Sequence, residues 1–283
     1  MDIKKSAEVL IQAIPYITKF AGRTIVIKYG GNAMINEELK NIVMEDLALL
    51  QLLGIRIVLV HGGGPDISDM LNRLQMESMF KNGLRVTDRE TAAVAQMVLA
   101  GKVNKGLVQL FHEKGGKGIG ISGLDNGMIQ AEPLQPELGY VGKIAGIDDT
   151  VLRDCMDSGY ITFVATVGTG KDGAVFNINA DTVAAAIAAK LKAAKLILLT
   201  DVPGLMMDPA DPESLISELF VSDVALLKTE GVIRGGMIPK VDCCVEAIRE
   251  GVRRAHIIDG RVPHAILLEL LSDTGIGTML LSH

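Results

Sequence analysis

Two lysines of the sequence stand beside glycine pairs, a combination typical of sites that hold anions. Lys28 ends an apolar run and is followed by Gly30 and Gly31, and Lys240 lies shortly after a second glycine pair. Glycines allow backbone N–H groups to approach an anion closely, and a lysine early in a helix opposes the helix dipole unless an anion lies nearby. The pattern predicts a phosphate site, with an ordinary strand-to-helix turn as the alternative after Lys28.

The segment from His61 to Pro65 contains three consecutive glycines, Gly62, Gly63 and Gly64. Each glycine costs about 0.5–1 kcal/mol of additional chain entropy on folding, so a turn alone does not account for three of them. We expect the bare backbone of this loop to approach a ligand closely. His61 is interpreted as a structural side chain rather than as a ligand.

Polar side chains in two further segments are suited to a substrate that carries a carboxylate. Arg85 lies in a short segment before a helical pattern, where its guanidinium can hold a carboxylate through two hydrogen bonds, and a surface ion pair is the alternative. Asn177, Asn179 and Asp181 alternate along the chain, which places them on one side of an extended segment. This shared side favours a site, although Asp181 also suits the N-cap of the helix that follows.

Residues 200–206 follow another apolar run and form either a simple turn or the cradle of a nucleotide. No GxxxxGK[ST] motif occurs in the sequence, so a nucleotide site here is not a P-loop. Gly168, Gly170 and Gly173 match the GxGxxG pattern of dinucleotide-binding proteins. A strand-like run rather than a helix follows them, and a hairpin turn is therefore predicted.

The composition of the 283-residue chain argues against several classes of protein. The net charge of −6 argues against a nucleic-acid binder, which requires a basic face. The three cysteines, Cys155, Cys243 and Cys244, have neither disulfide nor zinc-site spacing and indicate a reducing, cytoplasmic environment. The N-terminus does not resemble a signal peptide, and no apolar run approaches the roughly 18 residues of a membrane span, so no membrane association is expected.

Short apolar runs alternate with helical patterns along most of the chain. Continuous apolar strands between helices predict a mostly parallel sheet covered on both faces, and therefore a doubly wound α/β fold. Strands are predicted at residues 24–28, 55–60, 118–122, 128–132, 160–167, 195–201, 255–259 and 276–281, and helices at 37–53, 65–76, 89–100, 102–113, 148–158, 181–192, 221–230, 238–250 and 263–271. The strands within 118–132 are expected to form an antiparallel patch, residues 206–213 an exposed loop, and residue 180 the approximate boundary of two lobes.

Six motifs occur in the order in which the amino acid kinase family carries them: KYGG from Lys28, HGGGP from His61, GLRVTD from Gly83, NINAD from Asn177, LLTDVPG from Leu198 and GGMIPK from Gly235. The chain resembles this family over nearly its whole length, and GLRVTD and NINAD are similar to those of its N-acetylglutamate kinases. The resemblance implies a three-layer αβα sandwich, with an acyl-substrate lobe at residues 23–180 and a nucleotide lobe at residues 181–283. The implied activity is ATP-dependent phosphorylation of the side-chain carboxylate of N-acetyl-L-glutamate, the second step of arginine biosynthesis.

The resemblance also implies roles for individual residues. Lys28 and Lys240 would neutralise the transferring phosphoryl group, and Asp181 would orient both lysines. Backbone amides would bind phosphate at Gly30, Gly31, Gly62 and Gly63. The acyl substrate would contact Gly63, Gly64, Arg85, Asn177 and Asn179. The nucleotide would contact Asp201, Gly204, Leu205, Met206, Ile233 and Arg234.

A carboxylate acceptor needs no general base, because glutamate side chains titrate near ~4.3 and are already ionised at neutral pH. Asp181 is therefore assigned the role of an organiser rather than a base. The motifs contain few acidic residues, so Mg²⁺ is expected to be carried mainly by the ATP phosphates, with no ligands from protein side chains.

Residues 3–20 form an amphipathic helical pattern, with a kink expected at Pro15, whose apolar face must be buried on its own lobe or on another subunit. The chain is similar to arginine-sensitive N-acetylglutamate kinases, which favours oligomerisation through residues 1–22 into a hexamer, a trimer of dimers. This similarity also implies feedback inhibition by arginine, with contacts from Tyr16, Lys195, His264, Glu269 and Gly275. Docking of a signalling protein on the oligomer is left open.

Three other functions remain as alternatives. A kinase of the same family that acts on free glutamate or aspartate would differ only in its substrate. A non-catalytic arginine-binding regulator is disfavoured by the presence of both lysines and Asp181. A dinucleotide-dependent oxidoreductase is disfavoured because no helix directly follows Gly173.

Overall fold

The computed structural model describes residues 3–81 and 83–282, and within residues 3–10 it describes only the backbone. In chain order the strands are β1 (Thr24–Tyr29), β2 (Arg56–His61), β3 (Phe80–Lys81), β4 (Leu84–Arg85), β5 (Gly118–Ser122), β6 (Ile129–Pro133), β7 (Gly142–Ile147), β8 (Ile161–Ala165), β9 (Val167–Thr169), β10 (Val175–Asn177), β11 (Lys195–Thr200), β12 (Glu218–Phe220), β13 (Ala255–Asp259) and β14 (Thr278–Leu281). The α-helices are α1 (Ile3–Phe20), α2 (Asn32–Ile35), α3 (Glu37–Leu52), α4 (Gly64–Arg73), α5 (Arg89–Gln96), α6 (Asn104–Glu113), α7 (Thr150–Asp157), α8 (Ala180–Leu191), α9 (Val224–Thr229), α10 (Met237–Arg249) and α11 (Ala265–Leu271).

The central sheet has eight strands in the order β12-β14-β13-β11-β1-β2-β8-β5. Every neighbouring pair is parallel except β13 and β14, which are antiparallel. The inner strands β8, β11 and β13 are buried along their whole length, which explains why they read as continuous apolar runs. The predicted mostly parallel α/β sheet is confirmed.

Alternate side chains of the central strands pack against helices on opposite faces of the sheet. Ile25 and Ile27 of β1 belong to one apolar core, which also contains residues of α3, α4, α6 and α11. Val26 belongs to the other core, which contains residues of α7, α8 and α10. This division follows from the two-residue period of a strand. The result is the expected three-layer αβα architecture.

A second, four-stranded sheet has the order β10-β9-β6-β7 and contains the predicted antiparallel patch. The prediction that residues 118–122 belong to this patch is wrong, because β5 pairs in parallel with β8 at the edge of the central sheet. The predicted hairpin after Gly168 is confirmed. The N–H of Gly170 donates to the carbonyl of Ala174 at 2.7 Å, and β9 and β10 are antiparallel on either side of this turn.

Three predicted elements are divided differently in the structure. The strand at 160–167 is two strands, since Thr166 leaves the ladder and its carbonyl accepts a hydrogen bond from Ile178. The helices at 89–100 and 102–113 are joined by a π-helix at Met97–Val103, whose wider turn the spacing of apolar residues did not reveal.

Pro15 lies inside α1, which continues as one helix from Ile3 to Phe20. Among the described residues, no helix is long and apolar enough to cross a membrane.

Candidate active site

The loops that follow three central strands lie side by side at one edge of the sheet. Strands β1, β2 and β11 are neighbours and run in parallel, so their carboxyl ends point the same way. Lys28 pairs with Val60 of β2 and with Leu198 of β11. The parallel order of these strands brings the lysine, the glycine loop and the segment after Thr200 together. Open α/β sheets bind ligands at this edge.

Lys28, Asp181 and Lys240 meet at this edge as a largely buried ion cluster. The Oδ1 atom of Asp181 lies 3.2 Å from Nζ of Lys28, and its Oδ2 atom accepts a hydrogen bond of 2.7 Å from Nζ of Lys240. Burial raises the pKa of Asp181, but the charges and hydrogen bonds of both lysines outweigh burial and hold that pKa below its ordinary value. Asp181 is therefore an anion between two cations, and the cluster keeps one net positive charge for a ligand.

The first turn of α8 positions Asp181. The side chain of Asn179 caps this helix, because its Oδ1 atom accepts hydrogen bonds from the N–H groups of Asp181 and Thr182 at 2.9 and 3.2 Å. The alternative that Asp181 is itself the N-cap is therefore wrong. With the cap supplied by Asn179, the Asp181 carboxylate is free to face the two lysines.

A cavity of about 250 Å³ lies between the two glycine loops and the ion cluster. It is lined by Lys28, Gly30, Gly31, Met34, Ile35, Gly62, Gly63, Gly64, Pro65, Asp66, Asn179, Ala180, Asp181 and Lys240. The backbone conformation favours glycine at Gly31, and close packing leaves little room for a side chain at Gly63. Gly31 has a φ of 69° and a Cβ there would lie 2.5 Å from Asp201, whereas a Cβ on Gly63 would lie 2.6 Å from Leu99. All the residues predicted to bind phosphate line this one cavity.

Arg85 lies beside the glycine loop and is 6% exposed. Its guanidinium donates to the carbonyl of Gly64 at 3.1 Å, to the hydroxyl of Ser68 at 2.8 Å and to the hydroxyl of Ser78. The two serines were not anticipated, since no motif marks them. Among the ion pairs of the described residues Arg85 has no carboxylate partner, so the predicted alternative of a surface ion pair does not apply.

A larger cavity of about 610 Å³ adjoins the first on the side of β11. It is lined mainly by residues 199–206 and by residues after 231, including the predicted contacts Asp201, Gly204, Leu205, Met206 and Arg234. Lys28, Gly31 and Lys240 line both cavities. The two cavities therefore meet at the lysines.

Three predicted contacts are not among the residues that line these two cavities. Arg85 is one of them, and it is linked to the smaller cavity by its hydrogen bond to the carbonyl of Gly64, which does line it. Ile233 is 1% exposed and packs in the core, so Val232 and Arg234 line the nucleotide-side cavity in its place. Asn177 ends β10, where its N–H donates to the carbonyl of Tyr140 at 2.9 Å, and it does not line the smaller cavity. Strand alternation suggested that Asn177 and Asn179 share one side, but the chain leaves the strand at Ile178 and turns into α8.

A third cavity of about 510 Å³ lies on another part of the surface, between α1, α11 and the start of β11. Tyr16, Lys195, Glu269 and Gly275 line it, as do His256 and Arg254, which were not predicted. Burial lowers the pKa of Lys195 to about 8. His264, which was predicted to join this group, does not line the cavity, and its Nδ1 atom lies 2.6 Å from the Asp46 carboxylate on α3.

The fold and the site define an α/β protein with a glycine-lined, positively charged cavity at the carboxyl edge of its sheet, which is suited to an anionic ligand. The sequence pattern of the amino acid kinase family matches residues 23–259, and the chain belongs to this family. It is therefore a phosphotransferase, and as a kinase it takes its phosphoryl group from ATP.

Individual relatives extend over nearly the whole chain. The chain is 54% identical over 281 residues to an acetylglutamate kinase of Clostridioides difficile, covering 99% of this chain and 98% of the relative. It is 56% identical over 277 residues to an acetylglutamate kinase of Clostridium beijerinckii, covering 97% of each. A solved structure of N-acetylglutamate synthase from Neisseria gonorrhoeae, complexed with coenzyme A and N-acetyl-glutamate, is similar with a TM-score of 0.86 at 26% identity, covering 98% of this chain but only 63% of the synthase.

Proposed function

We propose that this chain transfers the γ-phosphoryl group of ATP to the side-chain carboxylate of N-acetyl-L-glutamate, in arginine biosynthesis. One observation carries the proposal: Lys28, Gly31 and Lys240 line both the smaller cavity and the larger one. The larger cavity would hold the nucleotide and the smaller one the acyl substrate, so the phosphoryl group would cross between the lysines. The acceptor is inferred from the acetylglutamate kinases that the chain resembles.

The site supplies positioning and charge, which is what phosphoryl transfer requires. The acceptor carboxylate is ionised at neutral pH and attacks without a general base. Lys28 and Lys240 would neutralise the charge that spreads over the phosphoryl oxygens. Asp181 contacts both ammonium groups and would hold them at a fixed separation. The amides of Gly30, Gly31, Gly62 and Gly63 would donate to the same oxygens.

The acyl substrate would be oriented by Arg85 and by the loop at Gly63 and Gly64. The buried guanidinium of Arg85 has no carboxylate partner in the part of the chain that the structure describes, which suits the α-carboxylate of the substrate, to which it can donate two hydrogen bonds. Asn179, which is exposed at the cavity, would contact the acetamido group. Asn177 is assigned no direct contact, since the chain turns between the two asparagines.

Mg²⁺ would be held by the ATP phosphates, where it withdraws charge from the phosphoryl oxygens. The described part of the chain contains no group of three or more His, Cys, Asp or Glu that could hold a metal ion. The carboxylate nearest the phosphoryl position, that of Asp181, is bonded to two lysines. This donor set fits an ion that arrives with its nucleotide.

The proposed acceptor is tested by measuring ADP release with ATP, Mg²⁺ and one of three acceptors. We expect release with N-acetyl-L-glutamate and not with L-glutamate or L-aspartate, which lack the acetamido group that Asn179 would contact. Release only with a free amino acid would preserve the mechanism and overturn the substrate. No release with any acceptor would favour the non-catalytic regulator.

We further propose that arginine inhibits the enzyme by binding in the third cavity. Glu269 is buried there beside Lys195 and His256, so a guanidinium or ammonium group could reach a carboxylate that little water screens. α1 already lines this cavity within one subunit, so a hexamer assembled through residues 1–22 would form its contacts next to the cavity. We include in this proposal that a signalling protein docks on the hexamer.

Substitution of Glu269 by Gln is expected to raise the arginine concentration for half-inhibition by about tenfold or more, because a hydrogen bond to a charged group contributes about 1.5–3 kcal/mol. The measurement is ADP release against arginine concentration in the native protein and in Glu269→Gln. His264→Gln is the control and should change the half-inhibiting concentration by less than about twofold. Equal inhibition of Glu269→Gln and the native protein would exclude this cavity.

A further inference from the structure

A buried histidine lies directly beneath the glycine loop that faces the smaller cavity. His61 ends β2 and is fully buried. Its Nδ1 atom lies 2.9 Å from the carbonyl oxygen of Gly62, and its Nε2 atom lies 3.0 Å from Nδ2 of Asn104. The side chain is therefore bonded at both ring nitrogens, as a structural histidine would be.

The surroundings of Asn104 determine which ring nitrogen carries the proton. The Nδ2 atom of Asn104 also reaches the carbonyl oxygens of Ile121 and Phe163, and its Oδ1 atom accepts from Nζ of Lys105 at 3.2 Å. These partners orient the amide so that Nδ2 faces His61, and an amide NH₂ can only donate. Nε2 of His61 is therefore the acceptor, and Nδ1 carries the proton and donates to Gly62.

The ring stays neutral while it makes this bond. Burial lowers the pKa of His61 to about 4, although the hydrogen bond to Gly62 acts in the opposite direction. A neutral imidazole has one donor and one acceptor, and both are used here. The tautomer is fixed by the protein and does not depend on the ligand.

The bond from Nδ1 sets the direction of one peptide plane in the loop. In a planar trans peptide the carbonyl and the following N–H point in opposite directions. Because the carbonyl of Gly62 faces the buried ring, the N–H of Gly63 points away from it, on the side of the smaller cavity. This N–H has no hydrogen-bond acceptor among the described residues.

The π-helix at Met97–Val103 supports this arrangement from below. Leu99 and Val103 pack against Gly63, where a Cβ would lie 2.6 Å and 3.4 Å from their side chains. The next residue after the π-helix is Asn104, which is fully buried against His61. The wider helical turn thus brings a packing surface and a hydrogen-bond donor to the same loop.

We propose that His61 is a positioning residue, which holds the Gly62–Gly63 peptide so that the N–H of Gly63 faces the transferred phosphoryl group. This inference rests on the proposed function, because it takes the reaction to be phosphoryl transfer from ATP. It does not depend on which acceptor the enzyme uses. No step of the reaction passes through the imidazole itself.

Two substitutions at His61 separate positioning from packing. His61→Asn keeps an amide donor near the place of Nδ1, within reach of Gly62, and loses the Nε2 contact. His61→Gln keeps a polar atom near the place of Nε2, within reach of Asn104, and loses the donor to Gly62. Each variant removes part of the same ring, so a loss of packing would affect both alike.

The measurement is the Kd of AMP-PNP and of ADP for the native protein and both variants, with melting temperatures recorded alongside. We expect His61→Gln to weaken AMP-PNP binding about tenfold and to leave ADP binding within about twofold, since a hydrogen bond to a charged group is lost. His61→Asn should bind both nucleotides within about threefold of the native values. Equal AMP-PNP affinity in the two variants overturns the proposal.

Turnover separates this inference from the proposed function. If the native protein has no activity with N-acetyl-L-glutamate but the two variants differ in AMP-PNP affinity as expected, the acceptor is wrong and the role of His61 stands. If neither variant folds, the native protein labelled with ¹⁵N supplies the test. Its Gly63 amide proton should shift with AMP-PNP and not with ADP, and an equal shift with both overturns the proposal.

Discussion

Substitution of Asp181 by Asn is expected to lower kcat by about 10²–10³-fold, because a preorganised group that stabilises transition-state charge contributes this much in other enzymes. Asparagine is nearly isosteric, but its amide group can accept from only one of the two lysines and turns a donor toward the other. Lys28 and Lys240 would then repel each other without a counter-charge between them. The lysines would move apart and no longer converge on the phosphoryl group. The measurement is kcat under saturating ATP and acceptor.

The matched control is Asp154→Asn, which makes the same chemical change at an exposed position on α7. Its kcat should stay within about twofold of the native value. The KM for ATP should change much less than kcat in Asp181→Asn, since the interaction acts mainly on the transition state. A kcat for Asp181→Asn within threefold of the control would contradict the organising role.

Substitution of Arg85 by Ala is expected to raise the KM for the acyl substrate roughly 30-fold or more, since truncating one partner of a buried charge pair costs about 2–5 kcal/mol. The KM for ATP should change by less than about threefold, because Arg85 bonds the carbonyl of Gly64, which lines the smaller cavity and not the nucleotide-side cavity. Arg85→Lys keeps the positive charge but not the planar guanidinium. Its KM for the acyl substrate should lie between those of the native protein and Arg85→Ala. Steady-state kinetics with each substrate varied in turn measures both constants.

Arg73→Ala provides the control for the loss of an arginine. Arg73 lies at the end of α4, and its side chain is 68% exposed and pairs with Asp69. Both kinetic constants should stay near their native values in this variant. An Arg85→Ala variant that folds and keeps the native KM for the acyl substrate would remove Arg85 from the site.

The sequence singled out the two lysines of the ion cluster because each stands near a glycine pair. Lys28 directly ends an apolar run, and the order of strands in a parallel α/β sheet brings such ends to one edge. The partner of both lysines, Asp181, was identified from the family resemblance. The resemblance also implied that Asp181 orients both lysines, whereas the distances between these groups depend on how α8 and α10 pack across the sheet. The capping by Asn179 could have been recognised from its place directly before the helix.

Other features follow from tertiary packing and have no local signal. Ile233 lies between two residues that line the nucleotide-side cavity, and only the packed structure shows that its side chain turns inward. The π-helix is short, so the apolar residues around it are spaced as they would be in two ordinary α-helices. His264 lies far from Asp46 in sequence, so no pattern indicated their contact.

The most direct test of the account is to trap the product of the reaction with hydroxylamine. Incubation with ATP, Mg²⁺ and N-acetyl-L-glutamate should yield an acyl hydroxamate in proportion to ADP, because an acyl phosphate on a carboxylate reacts with this nucleophile. The yield should fall in step with kcat in Asp181→Asn. ADP formed without hydroxamate would show that the phosphoryl group goes to water or to another acceptor, and would contradict carboxylate phosphorylation at the lysine cluster.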